Sequence, residues 1–95
     1  MVTLRIEHPI SDYTVWKAAF DRFAEKRAAA GVLGHRIFQP VDDSAYVMLD
    51  LDFAEASQAE RFLAFLRSDV WGSAQASPAL AGGPQTRIIR SVDAS

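Results

Sequence analysis

An α+β domain, with a four-stranded antiparallel sheet covered by helices on one face, is the architecture this sequence predicts. Two patterns lead to it. Four short stretches carry apolar residues at every second position, and two longer stretches carry them at every third or fourth. Length is the third observation, because 95 residues suit one domain with one modest core.

Residues 2–8 place Val2, Leu4, Ile6 and His8 on one face and Thr3, Arg5 and Glu7 on the other, and Pro9 ends this first strand. Ser11 or Asp12 suits the cap of a helix of about five turns. Its inner stripe is Trp16, Ala19, Phe20, Phe23, Arg27 and Ala30, while Asp21, Arg22, Glu25 and Lys26 face outward and Gly31 closes it. Residues 33–39 and 45–51 read as the second and third strands, joined by a loop rich in turn residues, Pro40, Asp42 and Asp43. Asp52 is then expected to cap a second helix, with Glu55 completing a capping box and Ala59, Phe62, Leu63 and Leu66 as the buried stripe. A short further helix is expected around 70–75, broken by Pro78. Gly82, Gly83 and Pro84 turn the chain into a last strand at 86–92. The order is βαββαβ, the ferredoxin-like split βαβ arrangement, in a single domain over residues 1–95.

Composition excludes several functions. Hydrophobic residues at 49% and charged residues at 23% are those of an ordinary globular chain and not of a disordered one. A net charge of −2 with ten scattered basic residues argues against a nucleic-acid surface, which needs clustered Lys and Arg. Without cysteine there is no disulfide framework, no thiolate nucleophile and no thiolate metal site, which fits a reducing cytoplasm. No apolar run approaches the roughly 20 residues of a membrane span, and the N-terminus lacks the layout of a signal peptide. The expectation is a cytoplasmic protein with neither nucleic acid nor membrane as partner.

The two sheet faces predict self-association. Val2, Leu4, Ile6, Leu33, Ile37, Val47, Leu49 and Leu51 form the face for the helices. The opposite face should be polar if it meets water, yet it carries Phe38, Tyr46 and Met48 among Arg5, Glu7, Arg36 and Asp50, and Ile88 and Ile89 supply one residue to each face. Two such sheets packed about a two-fold axis hide that apolar surface, so a homodimer through the sheet face is expected, with Arg5, Glu7, Asp50 and Arg90 in or near the interface. A mixed surface on a monomer is the alternative.

Three stretches carry a resemblance. Asp12-Tyr13-x-x-Trp16-Lys17-x-x-Phe20-Asp21, then Arg27-x-x-x-Gly31-x-x-Gly34-x-Arg36, then Asp42-Asp43 before a strand, resemble the dimeric α+β barrel superfamily. The likeness is greatest to small proteins similar to antibiotic-biosynthesis monooxygenases. It covers nearly the whole chain in element order, and its motifs are structural and not catalytic. The resemblance implies a dimeric α+β barrel and a range of chemistries: cofactor-independent oxygenation of aromatic polyketides, haem degradation, cyclisation and isomerisation. The haem-degrading branch uses an Asn, a Trp and a His, and this chain contains no Asn, so that activity is disfavoured. Fold alone does not choose among the others.

Topology places a candidate site. The first and second strands run parallel with the third between them, so the end of the first lies beside the starts of the third and fourth. His8, Tyr13, Trp16, Gln39, Phe65, Trp71 and Arg87 are therefore expected to converge at one end of the layer between helices and sheet, around an aromatic-lined cavity for a small apolar or aromatic ligand. His8 is the candidate catalytic residue, a general base or a donor to a ligand oxygen, or else a strand-end histidine bonded to a carbonyl. Trp16 either stacks on a planar ligand or fills the core, Trp71 is a lid or packs, and Tyr13 is a ligand donor or a helix-start packing residue. His35 shares the face of His8 at the far end of its own strand, so the two cannot share a metal. Asp50 and Asp52 point away from the helices and suit ion pairing or capping. No phosphate cradle and no nucleophile elbow is present, and no cofactor or metal is expected.

Two functions are carried forward. The first is a small-molecule-binding homodimer acting as a cofactor-independent monooxygenase on an aromatic or polyketide-like metabolite, with His8 deprotonating or orienting an enolic substrate. The second is a non-enzymatic dimeric ligand-binding or stress-response module using the same cavity. A cavity packed solid by Trp16, Phe20, Phe65 and Trp71 would leave a purely structural role.

Overall fold

Alternation along residues 2–9 makes β1 (Val2–Pro9) an inner strand with two distinct faces, and the rest of the chain is arranged around it. In the computed structural model, which describes residues 1–93, it is followed by α1 (Tyr13–Arg22), α2 (Ala24–Ala29), β2 (Gly34–Phe38) and β3 (Tyr46–Phe53). Then come α3 (Ala56–Phe65), a π-helical turn (Leu66–Val70) and β4 (Gln85–Ile89). Ala94 and Ser95 of the expected domain lie outside the described residues. The sheet order is β2-β3-β1-β4, with every neighbouring pair antiparallel. This is the ferredoxin-like architecture, with helices against one face.

The register fixes which residues form the core. Leu4 pairs with Leu51 and Ile88, Ile6 with Leu49, and His8 with Val47, so these side chains share the face that meets Ala59, Phe62 and Leu63 of α3. Leu4, Ile6, Leu51, Val47 and Phe53 are each no more than 3% exposed. At about 25 cal/mol per Å² of apolar surface, such burial is the main term holding helices to sheet.

Several expected boundaries are corrected. The five-turn helix is two helices, separated at Phe23, whose backbone (φ −96, ψ 13) departs from helical values while its N–H bonds the Phe20 carbonyl. The guanidinium of Arg27 donates to that same carbonyl, and no Gly or Pro marks the break. Asp12 does cap α1, accepting from the Val15 N–H at 3.0 Å, and Gly31 (φ +96) does end the helical stretch. A side chain at Gly31 would be strained by that φ and would meet Gln58 at 2.7 Å.

Asp52 is not a cap. β3 runs on to Phe53, and Asp52 is held as a strand residue by Thr3 at 2.7 Å and by both guanidinium nitrogens of Arg36 at 2.8 and 3.1 Å. The capping box of α3 is instead Glu55 with Gln58, the Gln58 Oε1 accepting from the Glu55 N–H at 3.0 Å. Leu33 precedes β2 and so escapes its alternation; it is 65% exposed and not on the core face. The expected helix at 70–75 is absent. The chain leaves the π-helical turn and runs through turns to a bridge between Ile10 and Leu80. β4 ends at Ile89, leaving Val92 exposed.

The face away from the helices combines ion pairs with apolar groups. Arg5 meets Asp50 through two hydrogen bonds of 2.9 Å, Arg36 also reaches Asp50 at 3.7 Å, and the Tyr46 hydroxyl donates to Glu7 at 2.8 Å. The hydrogen bonds from Arg5 and Arg36 hold the Asp50 and Asp52 carboxyls below the ordinary carboxylate range. Around these pairs lie Phe38, Tyr46, Met48 and Ile89, with Phe38 46% exposed. Among the described residues no helix is long and apolar enough to cross a membrane.

Candidate functional site

Between helices and sheet lies a cavity of about 70 Å³. Ile6, Leu49 and Leu51 form its floor, Trp16 and Phe20 of α1 one wall, and Trp71 with residues 76–80 the other. This second wall is tied across the end of β1. The Ser11 N–H donates to the Ala79 carbonyl at 2.9 Å, the Ala81 N–H to the Pro9 carbonyl at 3.2 Å, and the Ser77 hydroxyl to the Val70 carbonyl at 2.8 Å. Ile10, 2% exposed, is sealed beneath it.

His8 is the polar group of the sheet that faces this space, because strand alternation turns it to the same side as Leu4 and Ile6. It is 4% exposed. Its Nδ1 lies 2.9 Å from the Pro9 carbonyl, which can only accept, so Nδ1 carries the proton and Nε2 keeps a lone pair. Among the described residues no protein group bonds Nε2. No sealed side-chain nitrogen or oxygen among the described residues lacks a partner, so Nε2 keeps some open surface, and His8 lines the cavity. Burial pushes the imidazole below its ordinary value of 6.5, and the Pro9 bond opposes this only in part. The imidazole is therefore neutral near pH 7, with an available acceptor.

Aromatic rings continue inward from His8. Its ring meets Trp16 edge to face at 6.5 Å between centroids, Trp16 stacks on Phe20 at 5.2 Å, and the edge of Phe20 meets His35 at 5.1 Å. On the ring of Phe20 lies the Arg27 guanidinium, 3.6 Å from the centroid. Among the described residues Arg27 is the one charged group lining the cavity, and it is 7% exposed.

The structure brings together three of the seven expected site residues: His8, Trp16 and Trp71 line one cavity. Tyr13 packs on Trp16 at 5.8 Å without reaching the space, and Phe65 packs on Phe23 and Phe62 at 6.2 and 5.6 Å. Gln39 lies past the end of β2, where its amide donates to the Ser44 and Tyr46 carbonyls at 3.0 Å and pins the hairpin loop. Arg87 is on the opposite face, opposite Arg5, because Ile88 is the inward residue of β4. Sequence reasoning placed Arg27 on the inner stripe but gave it no role; the signal available was a guanidinium among aromatic residues at helical spacing.

The chain gives no match to protein-family models or to curated proteins. Solved structures do match. The crystal structure of SnoaB, a cofactor-independent oxygenase from Streptomyces nogalater, superposes with a TM-score of 0.74 at 17% identity, over 98% of this chain and 94% of that one. An antibiotic biosynthesis monooxygenase gives 0.67 at 8% identity, over 98% and 100%. A dimeric ferredoxin-like protein from an uncultured marine organism gives 0.64 at 7% identity, over 100% and 98%. At such identities the likeness is one of architecture, and over almost its whole length the chain has the ferredoxin-like fold of the antibiotic-biosynthesis-monooxygenase structures.

Proposed function

We propose that this protein is a homodimer, joined through the open sheet face, that binds a small aromatic or polyketide-like metabolite beside His8 and oxygenates it without a resident cofactor. The observation that carries the reading is His8 itself: a buried neutral imidazole lining an aromatic-walled space, with Nδ1 committed to a carbonyl and Nε2 left to accept. A base so placed can take the proton of an enolic or phenolic substrate, leaving a carbanion or phenolate rich enough in electrons to react with dioxygen. Trp16 and Trp71 would hold the planar part of the substrate between them. The fold likeness to a cofactor-independent oxygenase supports the chemistry, and the dimeric ferredoxin-like neighbour supports the assembly. Phe38, Tyr46, Met48 and Ile89 on the open face give the assembly its apolar contact.

Cavity size favours a second reading. About 70 Å³ is roughly half the 150 Å³ that holds benzene, so a ring enters only if Trp16, Trp71 or the 76–80 wall moves. A non-enzymatic module holding a smaller molecule needs no such movement. Oxygen uptake separates the two. With anthrone-like and quinol-like substrates, the native protein should consume oxygen and His8→Ala should lose most of that rate. No uptake, or uptake unchanged in His8→Ala, removes the catalytic role.

A further inference from the structure

We propose that the ligand of this cavity carries a carboxylate or an equivalent planar oxyanion, held by Arg27 at the end remote from His8. The inference rests on the reading of the cavity as a ligand site and adds the charge of what fills it.

A guanidinium that is 7% exposed needs partners, because a buried unpaired charge is costly. Arg27 has few. One nitrogen donates to the Phe20 carbonyl at 2.5 Å and the group lies over the Phe20 ring, but a guanidinium has five N–H donors. Among the described residues no carboxylate forms an ion pair with it. Asp21, whose charge acts on it through space, is exposed and bonds Lys17 at 2.6 Å instead. Among the described residues no sealed side-chain nitrogen lacks a partner, so the other guanidinium nitrogens keep some open surface, and the residue lines an otherwise uncharged cavity.

The Phe20 contact alone makes Arg27 a clamp on the break between α1 and α2. A clamp needs one donor, and a lysine or a glutamine could supply it. What a guanidinium adds is a flat two-point fork for a carboxylate, strengthened here by low exposure and apolar walls. The rings order the site: from His8 to Trp16, from Trp16 to Phe20 and from Phe20 to Arg27 are steps of 6.5, 5.2 and 3.6 Å. An anionic group at Arg27 and an acidic C–H or O–H toward His8 describe a small acid spanning the cavity between these two residues. Arg27 takes no proton and forms no bond in this scheme; it positions the acid.

The test compares acids with their neutral amides, by fluorescence of the two tryptophans that line the cavity and by calorimetry. Pyruvate and benzoate, a smaller and a larger acid, are set against pyruvamide and benzamide. In the native protein at least one acid should bind tenfold or more tightly than its amide, and in Arg27→Met that preference should fall below threefold. Equal binding of acid and amide overturns the proposal, as does no binding by either acid. A preference that survives in Arg27→Met, with only stability lowered, makes Arg27 a clamp and nothing more. Should Arg27→Met fail to fold, the comparison within the native protein decides alone. Because no turnover is needed, an acid preference without oxygen uptake removes only the oxygenase reading, and oxygen uptake without an acid preference removes only the role of Arg27.

Discussion

The imidazole of His8 and the carbonyl of Pro9, adjacent in sequence, lie 2.9 Å apart, and this one bond decides which nitrogen of a buried histidine keeps its lone pair. It also leaves a pH signature. An unfolded imidazole titrates near 6.5, and burial places the folded value lower. Between the two values the unfolded chain binds more protons, so the contribution of His8 makes stability rise with pH across that window. Below the folded value the cost is fully present. Urea midpoints should therefore fall between pH 7.5 and 5.5 in the native protein, and His8→Gln should flatten that fall. Asp50 and Asp52 act at a separate limb: their contribution is present above the ordinary 3.8 and is lost as pH drops through their lower folded values.

Phe53 carries more of the core than its place at the end of a strand suggests. It is fully buried and its ring meets Phe62 at 6.0 Å. Phe53→Ala should cost about 3–5 kcal/mol, a large share of the stability of a domain this small. Leu33→Ser, at a position 65% exposed, should shift stability by less than about 0.5 kcal/mol. Equilibrium unfolding of both variants checks the pair.

Association is expected to depend on the centre of the open face. Met48 pairs with Glu7 across β1 and β3 and with Phe38 across β2 and β3. In Met48→Lys the new ammonium has Glu7 opposite it, so the sheet of one protomer tolerates the change while a face-to-face contact does not. Sedimentation equilibrium should give a dimer for the native protein at micromolar concentration and a dissociation constant raised at least about tenfold for Met48→Lys. A native monomer, or a variant dimer of unchanged affinity, contradicts the face-to-face assembly.

How much of this was legible in the sequence depends on what each residue answers to. Leu4, Ile6, Leu49 and Leu51 answer to period two, and Ala59, Phe62 and Leu63 to period 3.6, so sheet, helix and order were readable. Asp52 answers to Thr3 and Arg36 on neighbouring strands, and an aspartate before a helix looks the same whether it caps or pairs. Reading it as a cap ended β3 two residues early and hid Phe53. Arg87 was misplaced by one step of alternation, which exchanges the faces of a strand. The wall at 76–80 is held by backbone bonds to Pro9 and Ser11, and no periodic pattern reports such contacts. The break at Phe23 has no Gly or Pro to announce it.

Nitrogen-15 spectra of the protein labelled at histidine test the central claim most directly. They should show His8 neutral at pH 7 with the proton on Nδ1, and the Nε2 signal should move when benzoate or an anthrone-like compound is added. A proton on Nε2, a charged ring at pH 7, or an Nε2 signal indifferent to every such ligand would contradict a base facing a ligand cavity.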